Sequence, residues 1–308
     1  VVFGTYATYV VMSIMMMVMI VMFLPSAQVS AQRINEVLNT EVDLKEGTET
    51  QAPETGTVEF RDVSFRYPTS GQDILSHISF KANRGETVAF IGATGSGKTT
   101  LVSLAARFYD ASSGQVLIDG RDIRDYSFEG LYDRIGYITQ KAVLFAGNIR
   151  DNILFGESTA DSSDPSVNKA VALAQASEFV DSLPEGLDAP VAQGGTNFSG
   201  GQKQRLSIAR ALARQPEILI FDDSFSALDY KTDAKLRVGL ARELAGTTCL
   251  IVAQRIGTIR HADKIVVLDE GRAVGIGTHD ELMKNCPVYR EIAMSQLSPE
   301  ELGETGGV

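Results

Sequence analysis

Between Gly92 and Thr99 the chain reads GATGSGKT, the spacing GxxxxGK[ST], and these residue types suit the capture of a polyphosphate. Gly92, Gly95 and Gly97 let the main chain of Ala93, Thr94 and Ser96 wrap closely around anionic oxygens. Successive N–H groups and the start of a following helix then point at them. Lys98 adds a point charge for the β and γ phosphates. Thr99 offers a hydroxyl to Mg²⁺, a hard cation that takes oxygen ligands, and Thr100 completes the set. Such a loop needs a strand before it and a helix after it. Thr87 to Ile91 is a short apolar run that reads as a buried strand, and Thr100 to Phe108 has apolar residues at helical spacing. The ligand expected at this loop is ATP with Mg²⁺; the bland alternative is a chance glycine-rich turn.

Farther along, Ile218 to Asp222 is an apolar strand ending in a carboxylate, a pattern that holds Mg²⁺ through water. Taken alone it reads equally as a core strand capped by a turn aspartate. Between the two lies Phe198 to Leu212, FSGGQKQRLSIARAL. The phosphate loop and this segment together resemble the ATP-binding cassette family. The resemblance implies Thr99, Gln140 and Asp222 as the metal set, with Gln140 drawn from YITQKAVLF. It also implies that Tyr67, in FRYPTS, stacks on adenine, although Tyr67 alone reads as a packing aromatic. Ser226 to Asp229 looks like the loop communicating between two facing sites. In this family ATP is sandwiched between the Walker motifs of one domain and the signature of another. Ser199, Gly200, Gly201 and Gln202 would therefore close over a partner's γ-phosphate.

Two positions depart from the family pattern. Asp223 stands where a catalytic Glu follows the Walker B Asp, and Gln254 stands where a switch His follows the strand Thr248 to Ala253. One methylene less leaves the carboxylate roughly a bond length short of an attacking water, and general-base assistance is worth about 10²- to 10⁴-fold. Gln254 can donate to a γ-phosphate but does not titrate near neutral pH as His does. A third departure is Ala189 to Gly195, APVAQGG, which puts Gln193 where homodimeric exporters carry an acidic residue. The set resembles the degenerate-site subunit of a heterodimeric exporter: a site that holds ATP better than it cleaves it, paired with an intact signature lent to a second exporter subunit.

These residues must be positioned by the elements around them. Val58 to Phe65, Thr87 to Ile91, Glu217 to Phe221, Thr248 to Ala253 and Lys264 to Leu268 read as strands alternating with helices. The fold class expected is an α/β P-loop NTPase core with a helical subdomain, preceded by a transmembrane helix, with ligand at the carboxyl ends of parallel strands. Ser166 to Ser182 reads as helical. The nucleotide-binding domain is expected over 57–297, its helical lobe over about 141–213. Val143, Leu144 and Phe145 are candidates for a groove receiving helices from the membrane domain, with a core role for one or two equally open.

Val1 to Leu24 is uncharged, contains six Met, and at roughly 36 Å of helix can cross a hydrocarbon core. It lacks the basic n-region of a signal peptide. After Pro25 the pattern continues as an amphipathic helix bearing Ile34, Val37 and Leu38, so residues 1–42 read as the end of a last transmembrane helix and its cytoplasmic extension. Residues 43–56 are polar with Pro and Gly and read as a linker, and 298–308 as a flexible acidic tail. The chain reads as a piece of a longer membrane transporter whose nucleotide-binding domain is cytoplasmic.

A net charge of −11 disfavours nucleic acid as a partner. Cys249 and Cys286 make no disulfide framework, and His77, His261 and His279 lack ligand spacing. Thr278 to Glu281 reads as a capping box. Alongside the exporter reading stand a non-transport ABC ATPase of the DNA-repair or chromosome type, opposed by the apolar N-terminus, and a purely regulatory ATP-binding module.

Overall fold

The computed structural model describes residues 2–40, 44–156 and 164–297; the tail expected at 298–308 lies outside the described residues. The chain divides into two compact units, Val1–Lys45 and Glu46–Val308. The first is one helix, α1 (Val2–Leu38), of 37 residues, none of them buried. It continues through Pro25, whose ring removes one main-chain donor. Thr8, Ser13 and Ser30 turn their hydroxyls back onto the carbonyls four residues earlier, which hides these polar groups within an apolar helix. Among the described residues this is the one helix long and apolar enough to cross a membrane.

The second unit runs β1 (Val58–Phe65), β2 (Leu75–Ala82), β3 (Thr87–Gly92), α2 (Lys98–Ala105), β4 (Ser113–Ile118), β5 (Arg121–Asp122), α3 (Phe128–Tyr132) and β6 (Ile135–Ile138). Next come β7 (Gly147–Asn148), α4 (Ile149–Ile153), α5 (Asp164–Leu173), α6 (Ser177–Asp181), β8 (Pro190–Val191) and α7 (Gly200–Ala213). It closes with β9 (Ile218–Asp222), α8 (Tyr230–Glu243), β10 (Thr248–Val252), α9 (Ile256–Ile259), β11 (Lys264–Asp269), β12 (Arg272–Gly277), α10 (His279–Asn285) and α11 (Pro287–Gln296).

The central sheet has six strands in the order β12-β11-β3-β10-β9-β6, parallel except for β12. Its inner strands are near-continuous apolar runs because both faces are covered. Ala89, Ile91, Leu219, Phe221 and Ile251 point into the core shared with α5 to α8. Their neighbours Val88, Phe90, Ile218, Ile220 and Leu250 point into the core under the antiparallel β2-β1-β4-β5 sheet. The fold is the expected α/β class.

Two local details differ from expectation. Ser166 to Ser182 is not one helix: Gln175 at φ 55 closes α5, Ala176 N–H reaching back to Val171 O, before α6 begins. The helix expected over Thr100 to Phe108 starts at Lys98 and stops at Ala105, because Arg107 at φ 52 turns the chain and Phe108 N–H bonds to Ser103 O.

The polar stretch read as a linker lies on the second unit from Glu46 onward. Gly47 N–H donates to Tyr126 O, Glu49 N–H to Asp125 O, and Glu54 N–H to Asp119 O. Buried Asp119 accepts from Thr57 N–H and from Arg134, and Arg134 also reaches Glu217 and Thr50 O.

Candidate functional site

Parallel register brings the chemistry together. In the sheet Val252 pairs with Asp222 on one side and with Phe90 on the other, and Ile138 pairs with Phe221. The carboxyl ends of β3, β10, β9 and β6 therefore lie along one edge, and the residues just beyond them, the phosphate loop, Gln254, Asp223 and Gln140, converge there. A cavity of about 240 Å³ results, lined by Thr94, Gly95, Gly97, Lys98, Thr99, Thr100, Gln140, Asp223 and Gln254, with Ile74 and Val252.

The loop's glycines are needed where they stand. Gly97 sits at φ 96, and a Cβ there would meet Leu75 Cδ2 at 2.6 Å. Gly95, at φ 84, has open space around it on the cavity side. Lys98 Nζ folds onto Gly92 O, Ala93 O and Ser96 Oγ at 2.9, 2.7 and 3.3 Å. Burial lowers its pKa, and the Asp223 and Asp222 charges oppose that. A cationic amine half out of water, held by neutral oxygens beside an open cradle, is the donor set a polyphosphate fits.

Asp222 is buried at the end of β9, with Oδ1 accepting from Thr99 Oγ1 at 2.8 Å and Oδ2 from Tyr137 OH at 3.1 Å. Burial raises its pKa, against the Thr99 and Tyr137 hydrogen bonds and Lys98. One carboxylate, one hydroxyl and an amide fit Mg²⁺, which keeps waters and takes phosphate oxygens rather than an all-protein cage.

Asp223 occupies the left-handed region at φ 49, its N–H bonded to Val252 O at 3.1 Å and its carbonyl accepting from Ser226 Oγ at 2.7 Å. Both neighbouring amides converge on a single oxygen, Oδ2: Gln254 Nε2 at 2.6 Å and Gln140 Nε2 at 3.0 Å. Burial pushes its pKa up, and these two bonds pull it back.

Tyr67 is half-buried, edge-on to Phe65 and Tyr109 at 4.8 and 5.1 Å, and its hydroxyl meets Thr100 Oγ1 at 3.0 Å. It thus touches the cavity wall and also packs.

The signature residues do not line this cavity. Ser199 caps α7, its Oγ accepting from Gln202 N–H while Gln202 Oε1 accepts from Ser199 N–H, a reciprocal capping box. Ser199 and Gly200 are exposed. Asp229 lies outside as well, capping α8 through Thr232 N–H at 2.9 Å. Of the apolar trio, Leu144 is core while Val143 and Phe145 are exposed, Phe145 stacking on Phe155 at 4.2 Å above Arg210.

Two participants escaped the sequence reading. Tyr137 fixes Asp222, and buried Gln204 of α7 donates to Thr139 O at 3.0 Å, tying the signature helix to the residue before Gln140. Tyr137 carries the signal of one hydroxyl inside the apolar run Ile135 to Ile138, whereas Gln204 sits among Gln202, Lys203 and Arg205 and carries none.

Residues 75–226 match the family model described as ABC transporter. An uncharacterized ABC transporter ATP-binding protein of Mycobacterium tuberculosis is 42% identical over 99% of this chain and 53% of its own length. A putative multidrug export ATP-binding/permease protein of Bacillus subtilis is 45% identical over 77% of this chain and 40% of its own. A solved bacterial Atm1-family ABC exporter with ATP bound superposes with TM-score 0.80 at 32% identity, over 95% of this chain and 51% of that one. The chain spans about half the length of the curated relatives it matches.

Proposed function

Because this chain belongs to the ABC transporter family, we propose that it is the ATP-binding part of a membrane exporter subunit, with α1 in the bilayer and the nucleotide domain on the cytoplasmic side. ATP occupies the cavity between the phosphate loop and Asp223, with its polyphosphate on the loop N–H groups and Lys98 and its adenine against Tyr67. Thr99, Asp222 and Gln140 hold Mg²⁺, which when bound neutralises phosphate charge. Ser199, Gly200, Gly201 and Gln202 close over the ATP of a second exporter subunit, and Asp229 communicates between the two sites. Closure of the two domains drives efflux of a transported substrate.

We further infer that the chain's own site hydrolyses weakly and that the assembly is a heterodimer. The observation supporting this is the double amide hold on Asp223 Oδ2 by Gln254 and Gln140. A carboxylate that is short, turned by a left-handed backbone and clasped on one oxygen is a poor proton acceptor for water. Single-turnover hydrolysis of ATP bound at the Lys98 site tests this. Slow cleavage with little change in Asp223→Asn is expected, whereas fast cleavage abolished by Asp223→Asn would falsify it.

A further inference from the structure

The geometry points to Gln296, the last residue of α11, as a positioning residue for the switch position Gln254. The inference rests on reading Gln254 as a side-chain donor to the γ-phosphate of ATP bound in the cavity.

The main-chain ladder of β10 ends where Ala253 N–H meets Phe90 O, and the chain then leaves the sheet. Gln254 must nevertheless hold its side chain 2.6 Å from Asp223 Oδ2. The four-residue α9 that follows has Arg255 as its N-cap and receives no side-chain cap bond from it. Instead the amide of Gln296, 40 residues away, bonds on both sides of Arg255. Its Oε1 accepts from Ile256 N–H at 2.8 Å, and its Nε2 donates to Gln254 O at 2.8 Å. A planar amide bonding one donor and one acceptor acts here as a strand neighbour would. It fixes the peptide that carries the switch side chain and supplies the missing cap of α9.

The support is stiff. α11 is anchored by buried Tyr289 and Ala293, by the Tyr289 hydroxyl on His279 Nδ1 at 2.8 Å, and by Arg290 on Met283 O and Lys284 O. Gln296 itself is exposed, so its side chain can be changed without opening the core. A shift of the 254–256 backbone changes where the Gln254 amide points, and with it the contact that distinguishes ATP from ADP.

The test uses the whole chain in detergent with Mg-ATP and Mg-ADP as probes. Gln296→Ala and the near-isosteric Gln296→Met both remove the two bonds. Each is expected to lower ATP affinity relative to ADP by about three- to tenfold, the scale of one hydrogen bond. Amide hydrogen exchange over 254–258 should accelerate in both. Gln254→Ala should lose the same discrimination, and adding Gln296→Ala to it should cost nothing more. If Gln254→Ala loses discrimination while the Gln296 variants keep it, or if the losses add, the positioning role is overturned. If none of the variants changes the ratio, the reading of Gln254 itself falls, and the clamp's consequence with it; unchanged exchange over 254–258 would sink the clamp independently.

Discussion

Asp223 and Lys98 carry opposite burdens at the residue scale. Asp223 holds a left-handed backbone that Asp tolerates better than most side chains, and its carboxylate is shared between two amides. Lengthening the side chain alone leaves Gln254 as the neighbour. Asp223→Glu combined with Gln254→His is therefore expected to raise hydrolysis in a complex whose opposing signature is intact, with neither single change sufficing. No gain in steady-state ATPase from the pair would mean that the turn itself, and not the side chains, is the obstacle. For Lys98, burial already disfavours the charge, and three loop oxygens hold it. Lys98→Ala should weaken Mg-ATP binding by about ten- to a hundredfold, the scale of a charge-assisted bond, while the nucleotide-free Tm barely moves. Calorimetric titration beside a melting curve separates the two; equal loss of Tm and affinity would make Lys98 structural.

Elements explain what the sequence disclosed and what it withheld. The parallel strands were legible because both faces are buried, so Ile218 to Phe221 and Cys249 to Ala253 are uninterrupted apolar runs with a candidate site residue just past each end. The half-exposed β2 and the short β5 carry no such run, and they stand out only once paired with their chain neighbours β1 and β4. Tyr137 and Gln204 went unread because their bonds join residues 85 and 65 apart. The capping box of α7 gives Ser199 two jobs. Ser199→Ala should lower stability by about 0.5–2 kcal/mol through the lost cap. Ser199→Asp should retain the cap and Tm yet put a negative charge toward any facing phosphate, abolishing ATPase of the assembled complex. Full activity in Ser199→Asp would remove Ser199 from the nucleotide interface. The segment after Glu46 yields a pH effect. Burial, with Glu217 close by, pushes the Asp119 carboxyl up to about 6 against Arg134 and Thr57 N–H. A raised carboxyl pKa stabilises the fold fully below the unfolded value of 3.8, and that contribution is lost as pH rises through about 6. Relative to Asp119→Asn, the native chain should therefore gain stability as pH falls from 7 to 5. A constant Tm difference across that window would show that Asp119 does not titrate there.

At the scale of the whole molecule, the two sets of proposed nucleotide contacts lie apart, one lining a cavity and the other exposed at the start of α7. A Cβ on Gly200 meets nothing within 4 Å, so Gly200→Asp disturbs little inside this chain. What it would disturb is the proposed closure of a second subunit over the signature. Asp223, in contrast, is buried beside this chain's own phosphate loop, and its change to Asn is nearly isosteric. If the signature serves the partner's hydrolysing site and Asp223 serves a slow one, Gly200→Asp should abolish most steady-state ATPase and transport of the assembled exporter while Asp223→Asn costs little. ATP should also stay trapped at the Lys98 site through several turnovers of the other, favouring the closed dimer. Measuring both variants in the same membrane preparation decides between the arrangements. Equal losses, or a larger loss from Asp223→Asn, would make this a main hydrolytic site and remove the reason for an unlike partner.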